Sequence, residues 1–151
     1  MTETAGEYPK IETLFDRDPQ TKRVIKGQWR LPEFAYLAEN EWLFTEKVDG
    51  TNVRVSLDEE GVHFGGRTDE AQMPTFLLAP LQATFTADRM RTVFPKGPVC
   101  LYGEGYGARI QKGGGNYNSE GVGFVLFDVR VGKWWLRWDD VVGVGATLGV
   151  G

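Results

Sequence analysis

From Asn52 to Leu57 the chain alternates without a break: Val53, Val55 and Leu57 on one side, Asn52, Arg54 and Ser56 on the other. A period of two sends successive side chains to opposite faces of a strand, and the valines suit a pleated, half-buried surface. The turn-forming DEEG follows at 58–61, then a second strand-like run, VHFGGRT; a third, WLFTEKV, comes before. Strand-like runs joined by short polar turns predict an antiparallel meander. That restricts the chain to folds built on such a sheet.

Beyond the meander, MPTFLLAPLQATFTADRMRTVF predicts a helix with Phe76, Leu77, Leu81 and Phe85 on one face, broken or kinked at Pro80. VCLYGEGYG reads as a strand running into a glycine-rich exit, and RIQKGGGNYNSEG as a loop. GFVLFDVRV and KWWLRW flank Gly132-Lys133, which predicts a hairpin. DDVVGVGATLGVG predicts a helix start with Asp139 or Asp140 as its N-cap. The expected class is α+β, a mostly antiparallel sheet with flanking helices. At the other end, residues 1–10 are expected to be loose, and IETLF at 11–15 could anchor them. The following RDPQTKRVIKGQWR is turn-rich and carries the densest basic stretch, Lys22, Arg23, Lys26 and Arg30. It reads either as a solvated face or as a contact for a phosphate backbone.

Composition removes several function classes. With 151 residues the chain has the size of one domain or a large piece of one, and 41% hydrophobic residues suffice for a packed core. A net charge of −4 excludes a domain that binds nucleic acid through overall basicity, so any polyanion must meet a local groove. One cysteine, Cys100, permits no internal disulfide, and with the lone His63 it leaves no zinc-site spacing. The first residues show neither a basic n-region nor an apolar h-region, and no apolar run nears the roughly 18 residues of a membrane span. A cytosolic location is expected.

EKVDGTN, at 46–52, brings a lysine to the end of one strand-like run and follows it with Asp-Gly. A lysine that forms a covalent bond needs its amine held where the lone pair meets an electrophile. A strand end fixes the amine, Gly50 lets backbone approach a ligand closely, and Glu46, Asp49 and Asn52 supply polar groups to orient it. The plainer reading is a surface hairpin in which Asp-Gly is only the turn.

K-x-D-G-x-N resembles the nucleotide-binding signature of the covalent nucleotidyltransferases, the polynucleotide ligases and RNA capping enzymes. Further elements follow in the order that family shows. GGRT at 65–68, read as lying on the strand VHFGGRT, looks like its arginine element; LYGEGYG, centred on Glu104, looks like its acidic ribose-binding motif; FVLFDV, with Phe127, looks like its base-stacking motif. Each role is physically reasonable: a carboxylate accepts from ribose hydroxyls, a ring offers a flat surface to a purine, and a guanidinium grips phosphate. Asn52 stands where DNA ligases and capping enzymes typically carry arginine, and asparagine there is typical of RNA ligases. From Tyr8 to Gly151 the sequence looks most like the RNA ligase domain family of phage and bacteria, relatives of the phage ligase that seals nicked duplex RNA.

The resemblance implies a nucleotidyltransferase adenylylation domain of the DNA-ligase, ATP-grasp-like kind. It implies an ATP-dependent RNA ligase with Lys47 as catalytic residue and Glu46, Asp49, Gly50, Asn52, Arg67, Glu104 and Phe127 around ATP or AMP. Mg²⁺ would accompany the triphosphate, broken or nicked RNA would be the partner, and a phage or bacterial cytosol the setting. KGGGN at 112–116 lacks the P-loop pattern and is expected to be a flexible connector, with Arg109 and Lys112 as possible substrate contacts. The family's later acidic motif and paired lysines have no match after Val129, and no lysine follows Lys133. Residues 1–151 are therefore expected to be the N-terminal two-thirds of the domain, or an inactive nucleotide- or RNA-binding remnant of such a ligase, and to take label from ATP weakly or not at all by themselves.

Overall fold

The computed structural model describes residues 6–151 as two compact units, Pro9–Glu46 and Lys47–Gly151, the latter including the N-terminal residues up to Tyr8. The smaller unit holds an antiparallel hairpin, β1 (Phe15–Arg17) with β2 (Val24–Trp29), and a short helix, α1 (Pro32–Tyr36). Phe15 lies opposite Trp29 with ring centroids 4.7 Å apart. The Asp18 carboxylate accepts from the backbone N–H groups of Gln20 and Thr21, which shapes the turn. These strands were not foreseen in a stretch read as turn-rich. β2 is almost wholly exposed, so neither of its faces carries the apolar row that marks a strand. Arg30 pairs with Glu12 and Asp16 at 3.2 Å each, which takes it out of the basic stretch as a free cation.

The strand expected over WLFTEKV does not form. Residues 41–48 join no ladder, and Trp42, Leu43 and Phe44 are 41, 67 and 83% exposed. Large side chains supplied the strand propensity there, but no partner strand supplies the hydrogen bonds.

The larger unit is built on a five-stranded antiparallel sheet. In chain order its strands are β3 (Thr51–Leu57), β4 (Val62–Gly65), β5 (Val99–Gly107), β6 (Val122–Val131) and β7 (Trp134–Trp135); across the sheet they run β4-β3-β5-β6-β7. The fold is thus mixed α/β with a mostly antiparallel sheet, as expected. Asp58 forms the β3–β4 turn by accepting from the N–H groups of Glu60 and Gly61, and Gly132, at φ 56°, starts the two-residue β6–β7 turn. Three helices complete the unit: α2 (Thr75–Thr84), α3 (Ala87–Val93) and α4 (Trp138–Leu148).

One face of the sheet carries the core. Val53, Val55 and Leu57 of β3 join Leu101, Leu126 and Val129 against Leu77, Leu81, Phe85, Met90, Val141 and Leu148 from the helical side, all buried. Each fully buried aliphatic side chain contributes about 1.5–3 kcal/mol. The glycines of LYGEGYG belong to this packing. A Cβ on Gly103 would strike the Phe124 ring, and one on Gly105 would come within 2.8 Å of Leu77. Alternation then leaves Glu104 on the other face.

Three helix expectations need correction. Pro80 sits inside α2, which continues to Thr84; the break comes at Phe85 and Thr86, where the Thr86 hydroxyl caps α3 by accepting from Arg89 N–H. Phe76 is 37% exposed and does not share the buried face of Leu77, Leu81 and Phe85. Neither Asp139 nor Asp140 caps α4: Arg137 holds the cap position without a side-chain bond, and both aspartates lie in the first turn, where the helix dipole favours them.

Candidate active site around Lys47

Directly opposed residues of an antiparallel pair share a face. Asn52 opposes Glu104, Arg54 opposes Tyr102, and Tyr102 in turn opposes Asp128. These residues form a polar row on the face away from the helices. The β5–β6 register shifts between Tyr102 and Gly103, which leaves Phe127 as an extra residue in β6. Such a bulge re-aims side chains. The Phe127 ring meets Tyr8 at 5.1 Å and 77°, and Tyr8 also packs on Tyr102 at 5.1 Å and on Trp135 at 5.7 Å. Phe127 therefore lies on the polar face, in the same bulge as Asp128.

Residues 47–50 lead into β3 at the Asn52 end of this row. Gly50 presses against β5: its N–H favours the charged Glu104 carboxylate, and a Cβ there would overlap the Gly105 carbonyl oxygen and come within 2.9 Å of Glu104 Cγ. Only glycine permits that approach. Burial raises the Glu104 pKa; the charge of Lys47 and the Gly50 N–H oppose the rise, and Asp49 adds to it. Lys47, itself exposed, is thus within electrostatic reach of the half-buried carboxylate. Beside Glu104, Asn52 Oδ1 is buried and lacks a hydrogen-bond partner among the described residues. A buried acceptor left unpaired costs about 1–3 kcal/mol.

The other sequence candidates fall as follows. Asp49 is exposed, and its Oδ2 accepts from Gly113 N–H at 3.3 Å. Arg67 is not on a strand: β4 ends at Gly65, and Arg67 lies exposed on the bend beyond, at the end of the sheet that leads toward Asn52. Glu46 is the last residue of the smaller unit, whereas the cluster on the sheet belongs to the larger. The KGGGN segment is more than a connector. Gly114–Asn116 form a 3-10 turn, Ile110 N–H returns to the Gly107 carbonyl, and Gly113 is tied to Asp49.

Two residues of this face escaped the sequence reading. Tyr8 donates its hydroxyl to Asp128 Oδ2 at 2.9 Å, while Gly6 accepts from the Tyr102 hydroxyl, so residues 6–8 are docked rather than loose. Burial, with Asp128 next to it, pushes the Tyr8 pKa up to about 12; burial also raises that of Asp128, against the Tyr8 hydrogen bond. A lone tyrosine in a polar stretch gave no signal. Arg54, 5% exposed, donates from Nε to the Gly66 carbonyl at 2.8 Å and from Nη2 to Asp69 at 2.6 Å. Its place on the polar side of the alternation was legible; its burial was not.

No group of three or more His, Cys, Asp or Glu among the described residues is placed to hold a metal ion. A cleft of about 260 Å³ lies on the helical side, lined by Leu77, Leu81, Phe85, Tyr106, Phe124 and others. Neither Lys47 nor Asn52 nor Glu104 lines it. No helix among the described residues is long and apolar enough to cross a membrane.

A lysine loop entering one face of an antiparallel sheet whose other face carries helices defines a class of fold that solved structures share. The chain is similar to a lysine variant of Naegleria gruberi RNA ligase with ATP and Mn, at 20% identity and TM-score 0.56, over 68% of this chain and 30% of that one. A second lysine variant of the same ligase, with AMP and Mn, gives 18% identity and TM-score 0.55 over 68% and 31%. The chain thus spans less than a third of the length of these ligases. No curated protein matches it significantly. The RNA ligase family profile matches residues 40–150, most of the chain. The chain belongs to the RNA ligase family.

Proposed function

We propose that this chain is the lysine-bearing part of an ATP-dependent RNA ligase adenylylation domain, and that Lys47 carries the AMP. The observation behind this reading is the convergence at the mouth of β3: Gly50 packed against Glu104, Lys47 within the field of its carboxylate, and the unpaired acceptor of Asn52 opposite. The Lys47 amine attacks the α-phosphorus of ATP, a P–N bond forms, the P–O bond to pyrophosphate breaks, and the amine loses its proton. AMP then passes to an RNA 5′-phosphate, and a 3′-hydroxyl displaces it as the strands join.

Each residue has a task suited to its surroundings. Glu104, as carboxylate, accepts from the ribose hydroxyls. Phe127 offers its half-buried ring to the purine. Arg67, exposed beyond β4, meets the phosphates. Asn52 Oδ1 accepts from a ligand donor, and the Asp49–Gly113 bond keeps the glycine-rich turn beside the lysine loop. A divalent ion, Mg²⁺ or Mn²⁺, would be held by the triphosphate itself rather than by a cluster of protein ligands, and would supply charge neutralisation there. ATP and broken RNA meet in a cytosol, where we place the reaction. Titration of the protein, in the longest form its reading frame encodes, with ATP, followed by incubation with α-labelled ATP and denaturing electrophoresis, tests the reading. Label on the protein supports a ligase; tight binding without label supports a nucleotide-binding remnant; neither overturns both.

A further inference from the structure

We infer that Arg54 is a positioning residue for Arg67, a strut that fixes the bend presenting that guanidinium to the ATP phosphates. The inference rests on the proposed role of Arg67. Arg54 stands on β3 between Asn52 and Ser56, and its guanidinium is pinned at both ends of the 66–69 bend: Nε to the Gly66 carbonyl at 2.8 Å, Nη2 to Asp69 Oδ1 at 2.6 Å. The strand below is equally tight, since a Cβ on Gly65 would lie 3.2 Å from Arg54 Nη2. Arg67 lies between the two pinned points and has no hydrogen bond or ion pair of its own among the described residues. Its backbone direction is therefore set by the residues on either side. A planar fork can hold two acceptors at a fixed separation, and a lysine ammonium cannot. Phosphate contacts demand placement within about 0.5 Å, which a solvent-exposed bend lacks unless it is braced.

Asp69 gives the cleanest test because its side chain is 88% exposed, so its removal leaves the core intact. Affinities for ATP and for adenosine are measured on the 151-residue chain by calorimetry, with melting temperatures, for wild type, Asp69→Ala, Arg54→Lys, Arg67→Ala and the Asp69→Ala/Arg67→Ala double variant. The expected pattern is an ATP-selective loss: about tenfold for Arg67→Ala, roughly three- to tenfold for Asp69→Ala and Arg54→Lys, and adenosine affinity unchanged throughout. Asp69→Ala should cost nothing further once Arg67 is gone. A loss that persists in the Arg67→Ala background, or that falls equally on adenosine, overturns the strut. Unchanged ATP binding in Asp69→Ala and Arg54→Lys, with Arg67→Ala impaired, overturns the strut and leaves the site standing. Unchanged ATP binding in Arg67→Ala removes Arg67 from the site and the strut with it, and a chain that binds neither ligand overturns the Lys47 reading as well.

Discussion

Asn52 and Glu104 face each other across the β3–β5 ladder, and Gly50, just before Asn52, packs against the Glu104 side chain and the Gly105 carbonyl. The lysine loop is thereby tied to the strand expected to hold the ribose. Gly50→Ala cannot keep this contact, because the added methyl overlaps the Gly105 carbonyl. The expected result is a destabilisation of about 1–3 kcal/mol in thermal or denaturant unfolding, together with loss of nucleotide affinity as Lys47 is displaced.

Glu104 is expected to give nucleotide binding a defined pH dependence. Burial holds its pKa above the usual glutamate range, so on acidification the carboxylate protonates and loses an acceptor earlier than an ordinary glutamate would. Affinity for ATP should fall through that raised pKa, and Glu104→Gln should be weaker at neutral pH but flat across the same window. Stability runs the other way. A group with a raised folded pKa contributes fully below its unfolded pKa and loses that contribution as pH rises through the folded one. Glu104→Gln should therefore gain stability over wild type at neutral pH, with the gap closing in acid, as pH-dependent melting curves would report.

Phe127 is expected to act through its flat ring. Phe127→Leu should weaken nucleotide binding by about 1–3 kcal/mol, and Phe127→Tyr by less. Equal losses would take the ring out of the base site.

Tyr8 is expected to hold the bulge that carries Phe127. Tyr8→Phe keeps the ring contacts and removes the hydroxyl from Asp128. Since that hydrogen bond lowers the Asp128 pKa against burial, its loss should raise the pKa further, which carboxyl NMR titration would detect.

What the sequence disclosed follows from how each element is held. β3 was legible because its alternation separates a buried row from a polar one, and the LYGEGYG pattern because glycines on one face leave a single carboxylate on the other. The hairpin of residues 15–29 was hidden because β2 is almost wholly exposed and β1 is only three residues long, so neither shows a buried apolar row. WLFT looked like a strand because propensity is local, whereas a ladder needs a partner. Within the site, the motif spacing brought Lys47, Asn52 and Glu104 to notice. The bulge at Phe127, the docking of Tyr8 and the bracing of Arg54 depend on register and long-range contacts that no short window contains.

The central claim is that Lys47 accepts AMP. It is tested most directly by incubating the protein, in the longest form its reading frame encodes, with α-labelled ATP and Mg²⁺ or Mn²⁺, then denaturing it and mapping the label by peptide mass spectrometry. The expected result is a single adduct on Lys47, lost in both Lys47→Ala and Lys47→Arg, since arginine keeps the charge but cannot be deprotonated in a protein. Label on another residue, label that survives in either variant, or a nucleotide-bound protein that never acquires label would contradict the account.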